Sequence, residues 1–250
     1  MTGVERVELA AAYVLHRRAY RDTSALVELF TADYGRVGVV ARGVRGRRSG
    51  QAAILQPFQP LRVSWQARGE LGTLTGVEAV SGPRALVGQR LVAGFYTNEL
   101  MMRLLGRQQP QALTFGRYAT VLEELAIGAP IGPSLRLFER DLLNDLGYGL
   151  RLSADTAGTP VEPAQWYRYD LEDGPVPVAH AEAVVGLRLS GESLLALAQG
   201  RPQPAHDAEL KRLMRAALRL YLGDKPLKSR ELYARYRSQG QTNGDDMDHD

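Results

Sequence analysis

An α+β fold is predicted for this 250-residue chain, with a small five-stranded barrel first and a mainly helical region after it. Three observations predict it. Over the first eighty residues apolar side chains alternate with period two, broken at short intervals by turn residues. From about residue 83 the apolar period lengthens to 3.6, the spacing of helices. The composition, 44% hydrophobic and 24% charged, is that of a globular chain long enough for one large or two modest domains.

The strands are read in order as Leu9–Arg17, Ala25–Thr31, Arg36–Arg42, Leu61–Ala67 and Leu71–Ala79. Asp22, then Asp33-Tyr34-Gly35, Gly43 to Gly50, Pro57 with Pro60, and Gly69 supply the breaks. Five short strands fit a Greek-key barrel such as the OB-fold, but an SH3-like barrel has a similar count, so periodicity leaves the topology open. In the third strand Val37, Val39 and Ala41 share one face, and Arg36, Gly38, Val40 and Arg42 share the other. In the fourth, Leu61, Val63 and Trp65 face opposite to Arg62, Ser64 and Gln66. The arginines therefore fall on the outer, ligand-facing surface.

Between the third and fourth strands, residues 42–48 read Arg-Gly-Val-Arg-Gly-Arg-Arg. So cationic a loop repels itself and buries poorly. Its partner is expected to be a polyanion, because guanidinium forks match phosphate oxygens and stack on bases. Arg36, Arg42, Arg45, Arg47, Arg48 and Arg62 are the candidate phosphate contacts. A solvated hairpin tip is the plainer alternative.

Pro83 stands at a plausible helix start, and the apolar residues from Leu86 to Leu105 make that helix apolar nearly all round. A second helix, Thr114–Ile127, stops at Gly128; a third opens at Pro133, carries Leu135, Phe138, Leu142 and Leu146, and ends at Gly147. Residues 151–190 are punctuated by Pro and Gly, with extended pieces around Trp166–Tyr169 and Val176–Val178. Asp207 is placed to cap a helix closed by Gly223, and a short helix follows near Ser229. The domains expected are 1–82, 83–238 with an irregular insertion at about 151–190, and a disordered acidic tail, 239–250, bearing Asp245, Asp246, Asp248 and Asp250.

The catalytic inventory is thin. The absence of cysteine excludes disulfides, thiol catalysis and cysteine-based zinc sites. Gly43, Gly46 and Gly50 are not followed by the Gly-Lys-Ser/Thr of a nucleotide loop. Asp141 and Asp145, four apart on one helix, could hold Mg²⁺ in a nuclease, but beside Arg136 and Arg140 they also read as a solvated face. Arg136 and Arg140 flank Leu135, Phe138 and Leu142, a mixed surface suited to an acidic and apolar peptide. The plainer reading pairs Arg140 with nearby acids and leaves Arg136 exposed. No cofactor and no enzyme activity are expected. With no secretory pattern and no apolar run near the roughly 18–20 residues that span a bilayer, a cytoplasmic protein is expected.

An ordered set of short segments carries a resemblance. It comprises Leu29-Phe30-Thr31 with Gly35-Arg36; Ala41-Arg42-Gly43 with the arginine loop and Ser49; Leu55-Gln56-Pro57-Phe58; Tyr96 with Asn98-Glu99-Leu100; Phe138-Glu139 through Leu146-Gly147-Tyr148; and Lys225-Pro226-Leu227-Lys228-Ser229-Arg230-Glu231-Leu232. Together these resemble the bacterial recombination mediator family RecO, over roughly residues 9 to 236. The resemblance implies an N-terminal OB-fold and binding of single- and double-stranded DNA. It also implies annealing of complementary strands and, with RecR, help for RecA in displacing single-strand-binding protein. It further implies a pocket for that protein's C-terminal tail, with the family's pocket arginine at Arg136 beside Arg140, Leu135 and Phe138, and a nucleoid-associated location. Many members carry a four-cysteine zinc module after the Gly-Tyr segment; this chain has none and resembles the zinc-free branch. Trp166, Tyr167 and Tyr169 are then the expected anchors of residues 151–190. An RNA-binding OB-fold protein is the remaining alternative.

Overall fold

The computed structural model describes residues 5–44, 50–82, 85–179, 185–223, 225–229 and 231–232. Arg45, Arg47, Arg48, Pro83 and the tail 239–250 lie outside the described residues. The described residues form two compact units, one drawn from 1–126 and 226–250, the other from 127–225. Packing therefore extends the first unit past residue 82: two helices go with the strands.

In the first unit, β1 (Glu5–Tyr20), β2 (Ser24–Thr31), β3 (Gly35–Ala41), β4 (Leu61–Ala67) and β5 (Leu71–Ala79) close into a barrel of order β1-β2-β3-β5-β4. The last two strands have the bounds expected from sequence. β1 is longer than expected because it serves two neighbours, β4 along its first part and β2 along its second. Register shifts at Val7/Ala10 and Val14/His16 allow this, and Leu9 sits in the first of them at φ 50°. Such bulges bend a strand and interrupt its period-two signal. A short parallel pairing of β3 with β5 completes the closure.

The alternation read from sequence is the alternation observed. Val37, Val39, Ala41, Leu61, Val63 and Trp65 point into the barrel, where they pack with Val14, Val27 and Leu29. One short helix was not expected: α1 (Gly50–Ile54) follows the arginine loop. The Arg17 guanidinium holds its end, donating to the Ala52 and Leu55 carbonyls at 3.0 and 3.3 Å, while Leu55 enters the core.

Two helices, α2 (Gly88–Leu104) and α3 (Ala112–Ile127), cover the outside of β1 and β2. Rings of Tyr13 and Phe30 meet Phe115 and Tyr118 with centroids 5.1–6.2 Å apart. Asn98 donates its amide to the Leu15 carbonyl at 2.9 Å and accepts from the Tyr118 hydroxyl. Burial, reinforced by Tyr13, pushes the Tyr118 phenol well above its ordinary range. Helical backbone resumes at Lys228–Ser229, where the Glu99 carboxylate accepts from both backbone amides and from the Ser229 hydroxyl at 2.8–2.9 Å.

The second unit contains α4 (Ile131–Asp145), β6 (Trp166–Asp170), β7 (Gly174–Val178), β8 (Leu187–Ser190), α5 (Gly191–Ala198) and α6 (Asp207–Leu222). Its sheet is antiparallel, in the order β7-β6-β8. β8 and α5 were not read from sequence; β8 is four residues long and passes directly into α5, whose cap is the Ser190 side chain. Asp207 is not the cap expected: a 3-10 turn, Pro204–His206, precedes it, so His206 holds the cap position and Asp207 begins α6. Tyr167 and Tyr169 are buried, and the Tyr169 hydroxyl donates to the Arg151 carbonyl at 3.0 Å. Trp166 is half-buried, with the Arg188 guanidinium 4.4 Å from its ring centroid. No described helix is long and apolar enough to cross a membrane.

Candidate nucleic-acid interface

Strand register gathers the basic residues at one end of the barrel. Ala25 pairs with Ala19 on one side and with Ala41 on the other, so the β1–β2 tip and the exit of β3 are neighbours. Residues opposite one another in a ladder share a face. Tyr20 lies opposite Ser24, Arg18 opposite Leu26, and Leu26 in turn opposite Val40. These outward positions end at Arg42, the exposed residue that leads into the arginine loop. Arg18 and Arg21 are exposed, and the Arg21 guanidinium stands 5.2 Å from the Tyr20 ring centroid. Asp22, also exposed, is the acidic residue of this turn.

Sequence reasoning missed Arg18, Tyr20 and Arg21. It ended the first strand at Arg17, whereas β1 continues to Tyr20. The signal was available: His16-Arg17-Arg18-Ala19-Tyr20-Arg21 holds three arginines and an aromatic residue in six positions.

Arg36 is a correction. It occupies the expected outward face, but its side chain is only 14% exposed. Its guanidinium stands 3.8 Å from Glu28 and donates to the Met102 carbonyl. Arg107 also pairs with Glu28 and passes over Gly38, where its guanidinium nitrogens would lie about 3.4 Å from an added Cβ. Desolvation, partly offset by Glu28 and reinforced by Arg107, holds the Arg36 guanidinium below its ordinary range. Arg36 is thus engaged inside the fold and does not present its charge to a ligand in this conformation.

Arg62 remains exposed on β4, but not alone. It donates to the Leu9 carbonyl at 3.2 Å and lies opposite Glu78 on β5. The other mouth of the barrel mixes charges, with exposed Arg6 and Arg68 among its acids. A cavity of about 160 Å³ there is lined by Glu5, Asp33 and Glu70 together with Tyr34 and Trp65.

In the second unit the four expected pocket residues do not form an open surface. Arg136 and Phe138 are buried, and Leu135 and Arg140 are half-buried. Arg136 is not simply exposed either: its Nη2 donates to Glu139 at 2.7 Å, one helical turn on. Arg140 donates to Asp141 at 2.7 Å and to the Leu197 and Ala198 carbonyls, where α5 ends. Asp141 is thereby engaged by a cation. Among the described residues, no three His, Cys, Asp or Glu side chains are grouped to hold a metal ion.

Known proteins agree with the resemblance. The profile of the Recombination protein O N terminal matches residues 7–83, and that of the Recombination protein O C terminal matches residues 87–231. A DNA repair protein RecO of Nitrosococcus oceani is 51% identical over 238 residues, 94% of this chain and 96% of that one. The RecO of Alkalilimnicola ehrlichii is 48% identical over 236 residues, 93% of each chain. That of Pseudomonas aeruginosa is 46% identical over 224 residues, 89% of this chain and 93% of its own. On this similarity, carried across both matched segments and nearly the full length of each relative, the chain belongs to the RecO family of DNA repair and recombination proteins.

Proposed function

We propose that this chain is a non-enzymatic mediator that binds DNA through one end of its barrel and anneals complementary strands. With RecR it would help RecA onto DNA coated with single-strand-binding protein. The barrel is read as an OB-fold, a reading supported by its strand count and by closure through a parallel β3–β5 pair. The observation that carries the proposal is the group of exposed arginines, Arg18, Arg21 and Arg42, at the end of the barrel that leads into the arginine loop. Phosphates bound there release counterions, so affinity falls steeply with salt. Annealing follows physically when one cationic surface holds two strands by their backbones and leaves their bases to pair. The loop residues Arg45, Arg47 and Arg48 remain proposed contacts with Arg42 and Arg62.

The test is the salt dependence of binding. Replacing Arg47 and Arg48 together is expected to flatten the log–log slope on single strands by about 1.4, since each phosphate contact contributes about 0.7. An unchanged slope removes the loop from the site. Incubation of end-labelled DNA with Mg²⁺ tests the nuclease reading, which requires cleavage; the mediator leaves the strands intact. Competition between DNA and RNA of one sequence tests the RNA-binding reading, which requires a clear preference for RNA.

For the protein partner, the proposed ligand is the acidic, apolar C-terminal tail of single-strand-binding protein, held at Arg136 with Arg140, Leu135 and Phe138. Arg136 gives Nη2 to Glu139 and leaves its buried Nε without a partner, so the tail's carboxylate is expected to take the donors that Glu139 does not use. Arg136→Ala is expected to weaken binding of that peptide while affinity for naked DNA stays near wild type. Equal loss of both refutes separate sites.

A further inference from the structure

Resting on the DNA-binding reading above, we propose that Tyr20 is a stacking platform for an unpaired base, and that the β1–β2 tip gives the site its grip on single strands. The argument begins with strand parity. Past the second bulge of β1, Arg17 and Ala19 lie opposite Val27 and Ala25, whose side chains belong to the core, so they share the inward face. Arg18 and Tyr20 alternate with them and face out. Tyr20 is half-buried, with Ser24 opposite it. A tyrosine in that setting carries an apolar ring at the surface with a polar edge in water.

Arg21 stands over one face of this ring at 5.2 Å, while Arg18 two residues before it and Arg42 at the end of the next ladder lie on the same side of the sheet, so a base stacks on the ring's other face or in place of Arg21. The Asp22 carboxylate stands in the same turn and disfavours a phosphate directly at the tip's apex. Arginines on either side of an aromatic ring match the repeat of a single strand, in which phosphates alternate with bases. Base stacking on such a ring is tolerant of sequence, because every base has a π-face. A duplex has its bases stacked on each other and cannot use the ring. The same strands are covered lower down, where Arg107 lies over Gly38, whereas Arg18 and Arg42 on the upper rows are exposed.

The experiment compares three ligands on the full chain: an oligothymidylate, a strand of equal length bearing abasic sites, and a blunt duplex. Tyr20→Leu is expected to weaken the intact strand roughly tenfold and to leave the abasic strand and the duplex within about twofold, while Tyr20→Phe retains wild-type affinity for all three. Uniform loss across the three ligands, or no loss on the intact strand, overturns the proposal. Should Tyr20→Leu fail to fold, Tyr20→Trp serves instead: quenching of the added indole by the intact strand and not by the abasic strand is required, and equal quenching by both refutes stacking. Wild-type protein that binds none of the ligands at low salt defeats the DNA-binding reading itself. Wild-type protein that binds intact and abasic strands equally defeats only the stacking claim.

Discussion

The outward face shared by β2 and β3 has two halves with the same kind of residue and opposite uses. In the lower half Arg36 and Arg107 converge on Glu28, a carboxylate only 6% exposed. In the upper half Arg18, Arg21 and Arg42 are exposed around Tyr20, and Asp22 is the acid of the turn. Arginine density does not separate them. What does is a buried carboxylate in the lower half and a covering segment from beyond α2, whose Gln108 amide donates to the Arg36 carbonyl at 2.9 Å. A cation that meets a buried anion becomes structure; Arg18 and Arg42, exposed at strand ends, keep their charge at the surface.

The largest effect that sharpens this contrast is on stability. Glu28→Ala leaves Arg36 and Arg107 facing each other without their anion. Breaking a buried ion pair by removing one partner costs about 3–5 kcal/mol, and the lower end applies here because Arg107 is partly exposed. Urea unfolding is expected to show a loss of about 3 kcal/mol. The salt slope of DNA binding, measured where the variant is folded, stays at the wild-type value. A stable Glu28→Ala protein would show that the lower half is not held by this cluster.

Next in size is the effect on binding. Arg18→Gln with Arg42→Gln is expected to reduce the salt slope on single strands by about 1.4. Arg36→Gln is expected to leave that slope unchanged and to lower the unfolding midpoint instead. If Arg36→Gln flattens the slope as Arg42→Gln does, the two halves do not differ and the division is wrong.

Alternation alone could not have drawn this division. It placed Arg36 and Arg42 on one outward face, and there both belong, since their inward neighbours Val37, Val39 and Ala41 fill the core. It had no means to report that Arg107, 79 residues from Glu28, returns to the lower half. The length of β1 was hidden for a different reason: two bulges break its period, so the pattern seemed to start at Leu9 and stop at Arg17. The local partner of Arg136 was legible in the sequence. Glu139 stands three residues on, the spacing at which helical side chains meet, and that local pair accounts for the buried guanidinium. The octapeptide Lys225 to Leu232 carried the resemblance without explanation from sequence. The Glu99 carboxylate supplies one, because it caps the backbone amides of Lys228 and Ser229.

Arg62 tests the contrast at its boundary and carries the smallest expected effect. It is exposed like Arg42, yet it has an acid for a neighbour, as Arg36 does: Glu78 lies opposite it on β5. The difference is solvent: Glu78 is exposed, so water screens its charge from Arg62, and surface charges facing each other contribute at most about 1 kcal/mol. A phosphate approaching Arg62 therefore meets a cation partly offset by Glu78 but not consumed by it. Arg62→Gln is expected to lower the salt slope by less than the roughly 0.7 of a full contact, and Glu78→Gln to raise single-strand affinity slightly through the same site. The two changes combined should give the slope of Arg62→Gln alone, because Glu78 acts by weakening Arg62. Independent, additive effects would mean that Glu78 repels the strand from a separate position and that Arg62 belongs wholly to the open half.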